Sequence, residues 1–273
     1  MTFSVLARDA ATGDMGVAVS SCILAVGRAV PGARAGVGVV AVQARSRRGL
    51  RHTVLTGLAD GTAPTVLVHR AAHAAEDAER QIAVLDTSGT VAADTGPGSF
   101  PVHGHLTGEG FSVQGNMLAS EDVLPAMAET LATARGDLPD RLLAALTAGQ
   151  DAGGDLRGRQ SAALLVVGGR LPTDEDDGVR TDLRVDDSAD PVAQLRLLRN
   201  LQRAYDERDY ETLALFAPEG ARDLYAALAA SQRGDRAAAR AALEGMRARP
   251  GWAAWLASMA GDARLSAVSR LLG

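Results

Sequence analysis

The chain has 273 residues, 47% hydrophobic and 22% charged, with a formal net charge of −5; this is enough to build a globular core, and it argues against a nucleic-acid or anionic-membrane surface. Its single cysteine, Cys22, excludes an intramolecular disulfide and a multi-thiolate metal site, and its apolar surroundings read as core. All 28 basic residues are arginine, so Schiff-base chemistry, a phosphate-loop lysine and a lysine-activated nucleophile are excluded.

In chain order, Phe3–Arg8 and Gly16–Ser21 are apolar runs joined by Asp9–Asp14, whose Thr-Gly-Asp end predicts a hairpin turn. A second strand pair, Ala25–Val30 and Val37–Val42, is expected around a Pro31-Gly32 turn, with Val37, Val39, Val40 and Val42 marking a strand buried on both faces. An arginine-rich loop over Arg45–Arg51 precedes two helices, Val54–Leu58 and Ala63–Ala75. Gln81–Leu85 and Thr90–Ala93 form a third hairpin around Asp86-Thr87-Ser88-Gly89.

Phe111–Gln114 reads as a strand running into Gly115-Asn116. Val123, Leu124, Met127 and Leu131 have helical spacing, which predicts a helix from Glu121 to Ala134 with Ser120 as its N-cap. A further helix is expected from Leu138 to Gln150, then a glycine-rich turn and a strand over Ser161–Val167. Thr173–Asp190 is acidic and turn-rich, and reads as a rim segment and linker; EF-hand spacing fails there.

Beyond Pro191 the pattern is helical: Val192–Tyr205, Tyr210–Phe216, Ala221–Arg233, Arg236–Arg247 and Trp252–Met259. Gly234-Asp235 and Pro250-Gly251 between helices resemble tetratricopeptide-type hairpins, although a full repeat signature occurs at most about once. The whole order predicts an α+β fold, a four-layer αββα sandwich over residues 1–190 followed by an all-helical region over 191–273. That region reads as tetratricopeptide-like or as a dimerisation arm.

Arg8, Asp9 and Asp14 interrupt the first twenty residues, so no signal peptide is expected. No run approaches the roughly 18 apolar residues that span a bilayer. A cytoplasmic protein without membrane or nucleic-acid partners is the expectation.

Among segments that could carry chemistry, GARAGVG (Gly32–Gly38) fits neither a dinucleotide fingerprint nor a lysine-ended phosphate loop. His69 and His73 stand four apart on a predicted helix near Glu76 and Asp77, without an HExxH motif, so no metal site is expected. No GxSxG elbow occurs. Cys22 lacks a basic context that would lower its pKa.

Thr2 remains, and it reads two ways: as an edge-strand residue behind a retained Met1, or as an amino-terminal nucleophile after Met1 removal. In the second case its own α-amine, with an unperturbed pKa of about 7.7–8.0, can serve as general base through a water.

The stretches MTFSVLARD, TGDMGVAVSS, AVGRAVPGARAGVGVVAVQA, QGNML, GGDLRGRQSAALLVV and DLRVDD resemble the bacterial family catalogued as domain of unknown function 1028, over roughly residues 1 to 200. Its members are assigned to the Ntn-hydrolase, or proteasome-like, fold. The resemblance implies Thr2 as nucleophile, the Ala44 N–H as oxyanion donor and Ser21 at a strand end where relatives carry aspartate. It also leaves Arg28 or Arg34 where relatives place a lysine.

The polar turns around Gln114-Gly115-Asn116 and Asp155–Ser161 read either as satisfying strand-end and helix-end backbone groups or as functional. In the functional reading Asn116 and Asp155 orient the amine. Gln43, Arg45, Gln114, Arg157 and Arg159 then contact substrate, Arg157 and Arg159 as carboxylate-reading forks.

The expected function is an amidohydrolase acting on a small or linear amide without cofactor or metal, in a homo-oligomer such as a dimer. The competing expectation is a noncatalytic protein whose C-terminal helices recruit a protein partner.

Overall fold

A computed structural model describes residues 2–45, 49–73, 78–99 and 102–259. Met1, the middle of the arginine-rich loop, the end of the helix drawn to Ala75, and Glu76 and Asp77 lie outside the described residues. The expected first hairpin is present as β1 (Thr2–Arg8) and β2 (Met15–Ser21). Its turn is locally encoded: the Asp9 carboxylate accepts from the Ala11 and Thr12 N–H groups at 2.8 and 3.0 Å, and Gly13 takes φ +79°. The hydrogen bond from Thr12 leads the interactions that hold the Asp9 carboxyl below its usual range.

The next segment departs from expectation. Val26–Ala29 is a short helix, α1, rather than a strand, and Pro31–Arg34 is strand β3 rather than a turn. Ala25 at φ +55° turns the chain into α1, and the Val26 N–H donates to Ser161 Oγ at 3.0 Å. Pro31 is tolerated in β3 because an edge strand needs no partner for the missing N–H. The reversal is made by Gly36 at φ +69°, and β4 (Gly38–Gln43) follows.

Helices α2 (Leu50–Ala59) and α3 (Pro64–His73) come next, then β5 (Gln81–Asp86), β6 (Val91–Thr95), β7 (Gly104–Gly108) and β8 (Phe111–Asn116). They lead to α4 (Val123–Thr133), α5 (Leu138–Asp151), β9 (Ser161–Val167) and β10 (Val179–Val185). The acidic rim segment thus contains a strand, β10. Ser120 is not the cap of α4: its Oγ accepts from Asp122 N at 3.1 Å and donates to Ala152 O, tying the loop before α4 to the end of α5.

All pairings between these strands are antiparallel, in the order β10-β9-β2-β1-β8-β7 in one sheet and β3-β4-β5-β6 in the other. Alternation then sorts the side chains. Leu6, Val17 and Val19 of the first sheet meet Val39, Ala41, Ala83 and Leu85 of the second in a shared apolar core. On the outer face of the second sheet Val40, Val42, Ile82 and Val84 pack with Val54, Leu67 and Val68 of α2 and α3. Each such fully buried side chain contributes about 1.5–3 kcal/mol.

Helix α5 packs on β1, β2 and β9, and α4 on β7 and β8. Two glycines bring α5 and its C-terminal turn close to Phe3: a Cβ at Gly149 would meet Met127 Cγ at 2.7 Å and the Phe3 ring at 3.3 Å, and one at Gly154 would meet that ring at 3.2 Å.

The chain divides into two compact units, Met1–Leu197 and Leu198–Gly273, so the division falls inside α6 (Pro191–Glu207) rather than at Asp190-Pro191. The second unit continues with α7 (Tyr210–Phe216), α8 (Glu219–Gln232), α9 (Arg236–Arg247) and α10 (Trp252–Met259). Asp209 and Asp235 cap α7 and α9 by accepting from the Thr212 and Ala238 N–H groups. Ala227, Leu228, Leu243, Met246 and Leu256 form this unit's core. Among the described residues no helix is long and apolar enough to cross a membrane.

Candidate active site

The inward face of β1 reads Thr2, Ser4, Leu6, so the gap between the sheets changes from polar to apolar along one strand. Neighbouring strands repeat the change. β8 turns Ser112, Gln114 and Asn116 inward, while Gln43 ends β4 and Gln81 begins β5. All of these polar side chains are buried. Unpaired, each would cost about 1–3 kcal/mol, and each has a hydrogen-bond partner.

Thr2 is 3% exposed, with Oγ1 3.1 Å from Ser21 Oγ at the end of β2. Asn116 lies opposite Thr2 in the β1–β8 ladder. The Thr2 carbonyl accepts from Gln43 Nε2 at 3.2 Å. Thus Thr2, Ser21, Asn116 and Gln43 come together from four strands.

Two left-handed residues stand next to this group. Ala44, the expected oxyanion donor, follows Gln43 with φ +63°, and Met117 follows Asn116 with φ +50°. Non-glycine residues held there cost about 1–3 kcal/mol each, and such strain concentrates at functional sites.

Other expected residues are placed differently. Gln43 and Gln114 are 1% and 0% exposed, with amides engaged inside the gap rather than presented to a substrate. Asp155 is buried, and its carboxylate accepts from the Cys22 N–H at 2.9 Å and from Arg157 N at 2.9 Å, with Arg157 Nη2 at 3.1 Å. It therefore braces the residue after Ser21. Cys22 is half-buried rather than core.

Arg45 pairs with Glu79 at 3.1 Å and Arg159 with Asp190 at 3.6 Å. Arg34 sits opposite Gly38, the end of β4 far from Gln43, and the Arg28 carbonyl accepts from Arg51 Nη2. Among the described residues no three His, Cys, Asp or Glu side chains are grouped to hold a metal ion.

Sequence reading missed Ser4, Gln81, Thr95, His105 and Ser112. Gln81 joins the group through its Oε1, which accepts from Gln43 Nε2 at 2.6 Å and Asn116 Nδ2 at 2.9 Å. The available signal was polar period-two alternation, Ser112-x-Gln114-x-Asn116, which looks the same for a solvent face as for a polar interior.

Fold and site define an α+β protein with two antiparallel sheets and a hydroxyl-bearing strand end in a buried polar cluster between them. The model of the family of unknown function DUF1028 matches residues 2–195, and the chain belongs to that family. The crystal structure of SPO2555 from Silicibacter pomeroyi, a DUF1028 protein, is similar with 34% identity and a TM-score of 0.66, covering 74% of this chain and 85% of that one.

Anbu from Hyphomicrobium sp. strain MC1, as a Gly-1 mutant, matches at 14% identity and TM-score 0.37 over 80% of this chain and 99% of that one. Anbu from Yersinia bercovieri, an ancestral beta-subunit, matches at 12% and 0.35 over 79% and 98%. These scores are too low to set residue correspondences. No functionally curated protein matches the chain.

Proposed function

We propose that this protein is an Ntn-type amidohydrolase in which Thr2, freed by removal of Met1, is the nucleophile, on a four-layer αββα domain with a helical C-terminal appendage. The carrying observation is Thr2 Oγ1 at the polar end of the gap, 3.1 Å from Ser21 Oγ. In this reading Oγ1 attacks a small or linear amide, and its proton passes to the α-amine through water and then to the departing amine. The ester left on Thr2 is hydrolysed by water, which restores the hydroxyl and releases the acid.

Backbone N–H groups, that of Ala44 among them, hold the oxyanion. Because the chain has arginine but no lysine, and guanidinium stays protonated, the proton relay uses the amine and water. The paired states of Arg157 and Arg159 favour a substrate without a required carboxylate.

Intact-mass measurement of native protein comes first, with loss of Met1 expected. A panel of acyl and aminoacyl p-nitroanilides then compares wild type with Thr2→Ala, for which a loss of about 10³-fold or more in kcat is expected. Retained Met1, or equal rates, overturns the reading.

A second reading, a noncatalytic assembly protein, is favoured by Leu215 and Phe216 at the end of α7, 76% and 53% exposed. Here the C-terminal helices recruit a protein partner or a second copy of the chain. Retained Met1 together with partner capture dependent on Leu215 supports it.

A further inference from the structure

The gap between the sheets holds a longer hydrogen-bonded chain than contact with Thr2 requires. It runs from Ser112 Oγ to Gln114 Oε1 (2.7 Å), from Gln114 Nε2 to Ser4 Oγ (2.5 Å), and from Ser4 Oγ to Gln43 Oε1 (2.8 Å). It continues from Gln43 Nε2 to Gln81 Oε1 (2.6 Å) and from Gln81 Nε2 to Thr95 Oγ1 (2.9 Å), and ends where Thr95 Oγ1 and His105 Nδ1 stand 2.9 Å apart. It starts on β8 and β1, crosses to β4, β5 and β6, and returns to the first sheet at β7.

Backbone carbonyls, which can only accept, fix its direction. Gln43 Nε2 faces Thr2 O, and Gln81 Nε2 faces Gly104 O and Gly115 O at 2.9 Å each. Reversing either amide would set oxygen against oxygen. With Gln43 fixed, Ser4 must donate to its Oε1 and so accepts from Gln114, whose own oxygen accepts from Ser112. At the other end Gln81 Nε2 shares its two hydrogens among the two carbonyls and Thr95 Oγ1. A Thr95 hydroxyl that accepts from it has its own hydrogen for His105 Nδ1, and in that arrangement Nδ1 carries no proton.

We infer that this one-directional chain is the positioning element of the Thr2 site, with Gln81 as hub, and that it holds His105 as the neutral tautomer protonated on Nε2. Gln81 Oε1 takes the amides of both Gln43 and Asn116, the first bonded to the Thr2 carbonyl and the second opposite Thr2 in the ladder. Bonds aligned in one sense polarise one another and resist reorientation together. Burial favours the same neutral ring, against the pull of Asp94. His105 also lines a cleft of about 370 Å³ shared with His69, Asp94 and Thr107. The consequence for Thr2 reactivity rests on the amidohydrolase reading, whereas the chain direction and the tautomer do not.

Histidine ¹⁵N NMR tests the tautomer. Wild type and Thr95→Ser are expected to show Nε2–H, while Thr95→Val gives mixed tautomers and raises the His105 pKa by about one unit, the size of one neutral hydrogen bond. Gln81→Met tests the hub: the Asn116 carboxamide protons should exchange about tenfold faster, and kcat on p-nitroanilides should fall about tenfold with KM kept within about twofold.

The inference is overturned by an Nδ1–H tautomer in wild type, by a Thr95→Val protein indistinguishable from wild type, or by a folded Gln81→Met protein with unchanged Asn116 exchange. Should Gln81→Met fail to fold, the Thr95 pair decides. If the NMR results appear in a protein that hydrolyses no amide, the amidohydrolase reading falls and the positioning chain stands.

Discussion

The two ends of the gap between the sheets are built from the same strands by opposite chemistries. Leu6, Ala41 and Leu85 fill one end, and Ser4, Gln43 and Gln81 on those same three strands fill the other. Apolar burial is non-directional, contributes about 25 cal/mol per Å², and tolerates modest reshaping. A buried polar network gains little net energy and loses heavily when one partner is missing, so it enforces a geometry instead. Stability is concentrated at the apolar end and placement of Thr2 at the polar end.

The strongest way to break this contrast is Leu85→Ala. It should cost about 2–5 kcal/mol in urea unfolding while leaving kcat on p-nitroanilides nearly unchanged below the unfolding transition. A comparable loss of kcat would show that the two ends are not separable.

Gln43→Leu addresses the other end. It leaves Ser4 and the Thr2 carbonyl without their amide partner, at about 1–3 kcal/mol, and kcat should fall by more than the stability change explains. A mutant that loses stability alone would make Gln43 a packing residue.

Smaller and opposite in sign is Ala44→Gly. Release of the left-handed alanine, which is solvent-exposed, should raise stability by about 0.5–1 kcal/mol after the extra backbone entropy of glycine is subtracted. Thermal unfolding reads it, and a fall in Tm would mean that the strain is absent.

The smallest effect is in pH. Burial holds His105 below its usual range, so the unfolded chain, titrating near about 6.5, takes the proton first. The contribution is present above about pH 6.5 and is lost as pH falls through the folded pKa. Wild type should therefore lose Tm more steeply on acidification than His105→Gln, and equal slopes would remove His105 as the cause.

Legibility from sequence followed the number of buried faces. Ser161–Val167, an interior strand of its sheet, was readable to the residue, as were α7, α9 and α10, while α6 and α8 were placed to within two residues at each end. Strands β7 and β10, at the two edges of the six-stranded sheet, were not. An edge strand has one neighbour and thin apolar patterning, and Val179–Val185 carries charge at most exposed positions. Pro31-Gly32 misled because proline signals turns and edge strands alike.

At the site, Thr2 could be picked by its place at the start of the first hairpin, and Ser21 through the family resemblance. Gln81, Thr95 and His105 could not, because their relation to Thr2 exists only across the gap between the sheets, where no local spacing records it.

Phe3 packs on the opposite face of the same strand, its ring against Gly149 and Gly154. Helix α5 thereby acts on Thr2 through the backbone, from the side away from all the polar chemistry. A single methyl at position 149 would press on Met127 and Phe3, and so on the strand between Thr2 and Ser4. Under the proposed nucleophile role of Thr2, its reactivity is consequently open to tuning from a helix, with every polar residue left as it is.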